Sequence, residues 1–369
     1  MATDEPIDRG GAAAAIRRRD VEFRSDGVPC AAWLYTAPGV SEPRPTVIMG
    51  HGLGAVREMR LAAFAERFAA SGWTVLVFDY RHLGASGGQP RQLLDIDRQL
   101  ADWRAALDFA RTLPEVDVER IALWGTSFGG GHVLQVGSGN PQVAAIVAQC
   151  PFTDGPASLI ARLRTGPLSA VALMAAGILD TACSWLGIKP ILLPMAGTSW
   201  MPAFVASRDA IAGASALLPP GTRLSRRTSA VLRRLPSVRA RLAQNIELTS
   251  DEREPVTTVG RDSVWGVLHG PDNDFDAANA LAARLALRLP LYRPGRAMAR
   301  SGVPTLLCVC DNDAAAPAEP TERHARGLAH VQVENYPCDH FDIYLGTYFE
   351  DAVRDQIDFL SKQFADAAS

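Results

Sequence analysis

The feature that most constrains the fold is a glycine-flanked serine between an apolar run and a helical segment. The run Ile121 to Trp124 leads directly into Gly125-Thr126-Ser127-Phe128-Gly129. A serine thrust out on so sharp a turn from strand to helix brings neighbouring backbone very close, and glycine fits that approach best. The motif predicts a strand, a strained turn and a helix, with the Ser127 hydroxyl as candidate nucleophile.

Short apolar runs alternate with helical periodicity along most of the chain. Runs suited to strands buried on both faces occur at 46–49, 74–78, 121–124, 143–148, 305–309 and 331–336. Helical spacing of apolar residues occurs at 57–70, at 93–113, after Ser127 and at 341–364. This order predicts an α/β protein with a mostly parallel central sheet and helices on both faces.

A long insertion interrupts the alternation. We predict a flexible N-terminal segment at 1–19, a catalytic core at 20–154 and 300–369, and a mainly helical lid at 155–299. Within the lid, 223–241 is Arg-rich and predicts a helix with a solvated basic face. The uncharged stretch 165–179 is shorter than the about 20 residues that cross a bilayer, so we predict a buried or ligand-facing helix and no membrane span.

Composition argues against several classes of partner. The hydrophobic content of 47% is typical of a folded protein, and the net charge of -3 and the pI near 6.2 give no field that would attract nucleic acid or an anionic membrane, so we expect a small-molecule substrate. The six cysteines lack the short paired spacings of zinc sites, so we expect reduced thiols. The N-terminus has no apolar run as long as that of a signal peptide, which predicts a cytoplasmic protein.

A nucleophilic serine requires a base, and three histidines follow the insertion. His324 lies in a predicted helix and His330 directly precedes the last apolar run, whereas His340 follows that run after a short turn. Loops after parallel strands meet at one edge of a sheet. His340 is therefore the candidate base.

Two carboxylates follow the run 305–309 and compete for the role of orienting the histidine. We favour Asp313 because it lies further into the loop and is followed by Pro317, which can fix the turn. Asp311 remains the alternative, as a turn or capping residue otherwise.

The developing oxyanion of an acyl transfer needs N–H donors. The Phe128 amide directly follows the serine, and the glycine-rich loop 50–54 can present the Leu53 amide. The loop 79–88 follows another apolar run, and we expect Asp79 to pair with Arg81 or to border the pocket.

These motifs occur in the order found in the α/β-hydrolase superfamily, which the chain resembles over about 1–154 and 300–369. The residues that carry the resemblance are His51-Gly52, the loop 79–87, the turn 125–129, Asp313 with Pro317, and His340 to Tyr344. Within the superfamily the chain looks like the dienelactone-hydrolase and X-Pro-dipeptidyl-peptidase-like branch. The resemblance implies an α/β-hydrolase fold, no metal or organic cofactor, and cleavage of esters, lactones or acyl-amino bonds. Cys310 departs from it, standing where glycine is frequent.

The leading hypothesis is a serine hydrolase that cleaves a small, fairly hydrophobic carboxylic ester or lactone through an acyl-enzyme. It assigns Ser127, His340 and Asp313 to a catalytic triad, and Leu53 and Phe128 to the oxyanion hole. The same triad serves an amide, peptide or thioester hydrolase, and a non-catalytic binding protein of this fold is a third hypothesis. The oligomeric state, a homo-oligomer included, stays open.

Overall fold

The structure is a computed structural model that describes residues 5–6, 16–37, 42–219, 267–269 and 276–367. The strands are β1 (Glu5–Pro6), β2 (Arg17–Ser25), β3 (Val28–Thr36), β4 (Arg44–Gly50), β5 (Thr74–Phe78), β6 (Val116–Thr126), β7 (Ala145–Gln149), β8 (Leu192–Leu193), β9 (Ala196–Gly197), β10 (Val205–Ala206), β11 (Val267–His269), β12 (Asp276–Ala278), β13 (Leu281–Ala282), β14 (Thr305–Cys310) and β15 (Val331–Tyr336). The α-helices are α1 (Leu61–Ala70), α2 (Ile96–Ala110), α3 (Phe128–Gly137), α4 (Gly155–Thr165), α5 (Pro167–Trp185), α6 (Ala210–Ala216), α7 (Ala318–Ala325) and α8 (Gly346–Asp366).

One large sheet organises the chain. Within the described ranges it has nine strands, in the order β1-β2-β3-β5-β4-β6-β7-β14-β15. The pairs from β5 to β15 are parallel, and β2, β3 and β5 pair antiparallel. The predicted fold class, a mostly parallel sheet flanked by helices, is confirmed. Because parallel strands end at the same edge, the loops after β4, β6, β14 and β15 converge there.

Hydrophobic cores cover both faces of the sheet. Successive residues of a strand point to opposite faces, so Met49 packs in one core and Ile48 in the other. Helices α1 and α8 close the first core, and α2 and α3 close the second. All residues of β5, β7 and β14 are consequently buried, which explains why these strands are mainly apolar, with polar residues only at their ends (Thr74, Gln149 and Thr305).

Several elements begin at residues other than those predicted. Helix α1 begins at Leu61 instead of 57, because Arg60 has a left-handed φ of 71°. Helix α8 begins at Gly346, after a short 3-10 turn at Asp342–Tyr344. Strand β2 begins at Arg17, so the sheet includes the last residues of the predicted flexible segment 1–19.

The described part of the insertion is mainly helical. It contains α4, α5 and α6 and the 3-10 turns Ala283–Leu287, Leu289–Leu291 and Pro294–Arg300, with short strand pairs between them. Residues 220–266 and 270–275 lie outside the described residues, and with them the helix predicted at 223–241. The boundaries of the lid at 155 and 299 therefore stay a prediction.

Helix α5 is longer than the uncharged stretch from which its burial was predicted. Its 19 residues make it, within the described ranges, the one helix whose length and composition would allow it to cross a membrane, and 28% of its most apolar eighteen residues are buried. A core helix of a soluble protein can meet the same criterion. Its inner side packs on the protein: Gly177 lies against Ala283, and the buried Asp180 accepts hydrogen bonds from Arg284.

Candidate active site

Ser127 lies on the turn between β6 and α3, at the edge where the parallel strands end. Its φ of 55° and ψ of -117° are strained for a residue with a side chain. A Cβ on Gly125 would lie 2.2 Å from the carbonyl oxygen of Gly129, and a Cβ on Gly129 would lie 2.4 Å from that of His51. Both glycines are therefore required for the turn that exposes the Ser127 hydroxyl at the sheet edge.

The structure brings His340 to Ser127. His340 lies on the loop after β15 and its ring is buried, with Nε2 3.0 Å from Ser127 Oγ. At this distance the hydroxyl donates a hydrogen bond to the ring nitrogen. The serine and histidine singled out in the sequence are thus in contact, although 213 residues separate them along the chain.

Asp313 completes a chain of hydrogen bonds. His340 Nδ1 lies 2.5 Å from Asp313 Oδ2, and the other carboxylate oxygen accepts from the amides of Ala315 and Ala316 at 2.8 and 2.6 Å. The alternative carboxylate, Asp311, is exposed and accepts from Asn335 instead. The geometry therefore places Asp313, and not Asp311, next to the histidine.

Electrostatics at this pair favour a proton on the imidazole. Burial lowers the pKa of His340, but the adjacent Asp313 carboxylate and Cys150 together outweigh it and hold that pKa well above the usual value of 6.5. Burial also raises the pKa of Asp313, an effect that His340 partly offsets. The pair binds its proton jointly, as expected of closely coupled groups.

The amides of Phe128 and Leu53, which the sequence predicts as oxyanion donors, belong to residues next to Ser127. Phe128 is the first residue of α3, so its N–H has no partner within the helix. Among the turns, loops and helix caps of the described residues, no backbone carbonyl accepts a hydrogen bond from the amide of Phe128 or from that of Leu53. Leu53 borders the same cavity as Ser127, and a Cβ on the preceding Gly52 would lie 2.9 Å from Ser127 Cβ. Both amides are thus close to Ser127 and available as donors.

A buried carboxylate anchors the loop that carries Leu53. Asp79, at the end of β5, accepts from the amide of Arg57 at 2.8 Å and from that of Ala85 at 3.1 Å, and lies 3.5 Å from His51 Nε2. Burial opposes its charge, but His51 and Arg57 outweigh this and lower the pKa of Asp79. Sequence reasoning missed this role. Only the position of Asp79 directly after a strand hinted at it.

The expected pairing of Asp79 with Arg81 is wrong. Arg81 turns towards α2 and the β2–β3 hairpin, where it donates to Asp102 at 2.6 Å and to Asp26 at 2.9 Å. Each member of the predicted pair therefore has a separate partner, and Arg81 supports the scaffold beneath the loop.

Ser127 lines two cavities of the described part of the structure. The larger has a volume of about 270 Å³ and is lined mainly by apolar side chains of the core and of α4 and α5, among them Leu53, Phe128, Phe152, Leu159, Leu173 and Met174. The smaller, of about 40 Å³, lies towards His340, Phe341 and Met59. An extended apolar group and a small group can therefore flank a carbonyl held at Ser127.

Cys150 lies beside the same histidine. Its sulfur and one ligand atom each of Asp313 and His340 lie within 4.8 Å of one another, a set of atoms able to bind a metal ion. These are the atoms that hold the histidine, so a metal there would displace the hydrogen bond between His340 and Asp313. The six cysteines are free thiols, as predicted.

The remaining histidines near the site have structural partners. His132, on α3, is buried between Tyr292 Oη at 2.8 Å and Gln99 Oε1 at 2.9 Å. His324 contacts Asp154 Oδ2 at 3.1 Å, at the start of the insertion.

The strand order and the strained serine turn at the sheet edge define an α/β hydrolase. The family model described as serine aminopeptidase, S33 (Hydrolase_4), matches residues 41–242, more than half of the chain. The chain belongs to this family and is a hydrolytic enzyme. The resemblance inferred from the sequence motifs is confirmed.

Two named proteins are similar to this chain in sequence. The quorum-quenching protein AidA of Acinetobacter baumannii is 40% identical over 343 residues, covering 93% of this chain and 94% of the relative. A thiohydrolase of Eupenicillium brefeldianum is 39% identical over 137 residues, covering 37% of this chain and 44% of its own length.

Solved structures share the architecture. The α/β hydrolase GrgF from Penicillium superposes with a TM-score of 0.65 at 22% identity, covering 94% of this chain and 99% of that one. A protein from Pseudomonas aeruginosa, PA2218, gives a TM-score of 0.61 at 20% identity, covering 96% and 95%. At these identities the likeness shows the fold alone.

Proposed function

We propose that this protein hydrolyses a carboxylic ester or lactone of a small, fairly hydrophobic substrate through an acyl-enzyme. The observation that carries the proposal is the continuous chain of hydrogen bonds Ser127–His340–Asp313, whose serine lines an apolar cavity. Nucleophile, base and orienting carboxylate are thereby assembled at hydrogen-bond distances.

In the proposed mechanism, Ser127 Oγ attacks the acyl carbon while His340 Nε2 takes its proton. Asp313 holds the imidazole in the tautomer that can accept this proton and stabilises the imidazolium that forms. The amides of Leu53 and Phe128 stabilise the oxyanion. His340 then protonates the leaving alcohol. In the second half-reaction it activates the water that releases the acid and restores Ser127.

The cavities support the substrate class. The larger cavity has the size of a small-ligand site and a mainly apolar lining, which favours a hydrophobic acyl chain or ring. Helices α4 and α5 form part of its wall, so we propose that the insertion acts as a lid whose movement admits the substrate. The quorum-quenching relative, aligned nearly end to end, is consistent with a small signalling molecule as substrate.

A thioester is the second candidate substrate. The name thiohydrolase belongs to relatives that match about 37% of this chain. The proposed triad would serve a thioester through the same tetrahedral intermediate. Parallel kcat/KM measurements with p-nitrophenyl esters, lactones, acyl thioesters and aminoacyl anilides would rank these substrates.

The mechanism is tested with Ser127→Ala. We expect this variant to lose ester hydrolysis by at least about a thousandfold and to escape labelling by a fluorophosphonate probe. The matched control is Ser138→Ala, which removes a serine hydroxyl at the other end of α3. Full hydrolysis by Ser127→Ala, or labelling of a different residue in the wild type, would refute the proposal.

A further inference from the structure

The strongly exposed large hydrophobic side chains of the described residues all lie in the insertion. They are Ile160, Leu163, Leu168, Val171, Ile178, Leu179, Trp185, Leu186, Ile188, Trp200 and Leu291. Such residues are ordinarily scattered singly over a surface, and their concentration in one region marks a binding surface.

Helix α5 carries the centre of this surface. At about 100° per residue, Leu168, Val171, Ile178, Leu179 and Trp185 fall within an arc of about 120°, so they lie on one side of the helix. With Leu186, the residue after the helix, we call this set the apolar face. The opposite side of α5 is buried through Ala170, Leu173, Gly177 and Asp180. Both sides of the helix are therefore mainly apolar, and the described residues cover only one of them.

Within the described segment 155–208, the exposed charges next to the apolar face are positive. Between 155 and 208 the single acidic residue is Asp180, whose carboxylate is buried and paired with Arg284. Exposed cations lie at both ends of α5, Arg164 before it and Lys189 after it. Although the whole chain has a net charge of -3, this apolar surface with cations at its rim is locally complementary to a negatively charged apolar partner.

Exposed tryptophans point to the same partner. Trp185 and Trp200 are 82% and 78% exposed. Tryptophan is enriched where proteins meet the boundary between lipid headgroups and acyl chains. A helix with an apolar face, aromatic side chains and flanking cations is typical of segments that lie in the plane of a bilayer surface.

We propose that the apolar face docks this enzyme on the surface of an anionic lipid bilayer, with α5 lying in the plane of the membrane. Crossing the bilayer would strip α5 from the turn Ala283–Leu287 and bury the ion pair of Asp180 with Arg284 in lipid. A symmetric contact between two copies is disfavoured because it brings Arg164 and Lys189 towards the same cations of the second copy, and the segment 155–208 has no exposed acid to offset them.

Docking in this orientation is a property separate from the proposed reaction, but it would affect how a substrate reaches the cavity. Leu173 and Met174 of α5 line the cavity that contains Ser127, while Leu168 and Leu179 of the same helix face outward. One helix thus separates the cavity from the docking surface. A hydrophobic substrate dissolved in the bilayer would reach the cavity next to this helix.

The test is flotation of the purified full-length chain with vesicles. We expect it to float with vesicles of phosphatidylcholine and phosphatidylglycerol, less with phosphatidylcholine alone, and less in high salt. The double variant Leu168→Glu/Leu179→Glu should bind about tenfold more weakly or worse, because both side chains are exposed and their replacement removes apolar contact area. The control, Ser361→Glu, adds a carboxylate at an exposed position of α8 and should bind as the wild type does.

Further measurements make each outcome decisive. Circular dichroism and hydrolysis of the water-soluble p-nitrophenyl acetate confirm that the variants are folded. Ser127→Ala should still float, so the docking result is independent of the proposed mechanism. Absence of flotation, equal binding to neutral vesicles, or binding unaffected by the two glutamates would each overturn the proposal. A dimer seen by light scattering and dissociated by the glutamates, without lipid binding, would instead assign the face to a second copy.

Discussion

Replacement of Asp313 by Asn tests the candidate site most directly, because it removes one charge and keeps the shape of the side chain. In the wild type, Oδ1 accepts from the amides of Ala315 and Ala316, and Oδ2 accepts from His340 Nδ1. An asparagine carbonyl would stay with the two amides, which leaves its NH2 group facing His340. That group donates, so the imidazole proton must move to Nε2, where it blocks acceptance of the Ser127 proton.

The size of the effect follows from this change of tautomer. The Asp313 side chain is 1% exposed, so water cannot replace the lost acceptor. We expect kcat to fall by about four orders of magnitude, which corresponds to about 5 kcal/mol of transition-state stabilisation. The KM should change little, because Asp313 does not contact the position of the substrate carbonyl.

Steady-state kinetics with a p-nitrophenyl ester measure this loss, and Asp311→Asn supplies the matched control. Asp311 is exposed and bonded to Asn335, so its variant should keep kcat within about twofold. Thermal unfolding of both variants excludes a folding defect. A loss below tenfold in Asp313→Asn, or a large loss in Asp311→Asn instead, would refute the assignment of the orienting carboxylate.

Three further predictions concern the base, the anchor and the loop. The pKa of His340 is raised above 6.5, so the base becomes protonated and inactive as the pH falls towards that value. In the pH–rate profile, kcat/KM should therefore have a midpoint above 6.5 and drop about tenfold per pH unit below it. A midpoint at or below 6.5 would contradict this prediction. Asp79→Asn should cost about 2–3 kcal/mol in urea unfolding, since it removes a buried charge that pairs with Arg57 and accepts from two backbone amides, while Glu58 still contacts Arg57. Folding lowers the pKa of Asp79, so this difference should be present above 3.8 and shrink at lower pH. Gly52→Ala places a Cβ 2.9 Å from Ser127 Cβ and should lower kcat at least about tenfold, as measured by burst kinetics on a protein with unchanged melting temperature.

The fold and the three polar residues of the site were predictable because each signal is local. Ser127, Asp313 and His340 each follow an apolar run, and the parallel arrangement of these runs places their ends at one edge. The choice between Asp311 and Asp313 needed only the length of the loop and the position of Pro317. Backbone geometry explains why such reasoning works: a strand fixes where the next few residues emerge.

The anchor of the Leu53 loop was not predictable in this way. Asp79 contacts Arg57 across 22 positions of sequence, and its supposed partner Arg81 is bonded to Asp102 on α2. Two side chains that are two positions apart lie on the same side, and so can form a pair, only where the backbone continues as a regular strand. Beyond β5 the backbone turns, with a positive φ of 71° at His82, and neighbours in sequence separate to different partners.

Helix α5 shows the limit of hydropathy as a guide. A stretch without charge predicts that a helix avoids water, but it does not say which of its sides the protein covers. Here the buried side packs on Ala283–Leu287 and lines the cavity, while Leu168 and its neighbours along the helix remain exposed. Polar residues on that outer side would be sufficient for folding, because they change the free energy of unfolding little and reduce aggregation. An apolar outer face with cations at both ends is therefore better explained by a contact that forms after folding than by the stability of the fold.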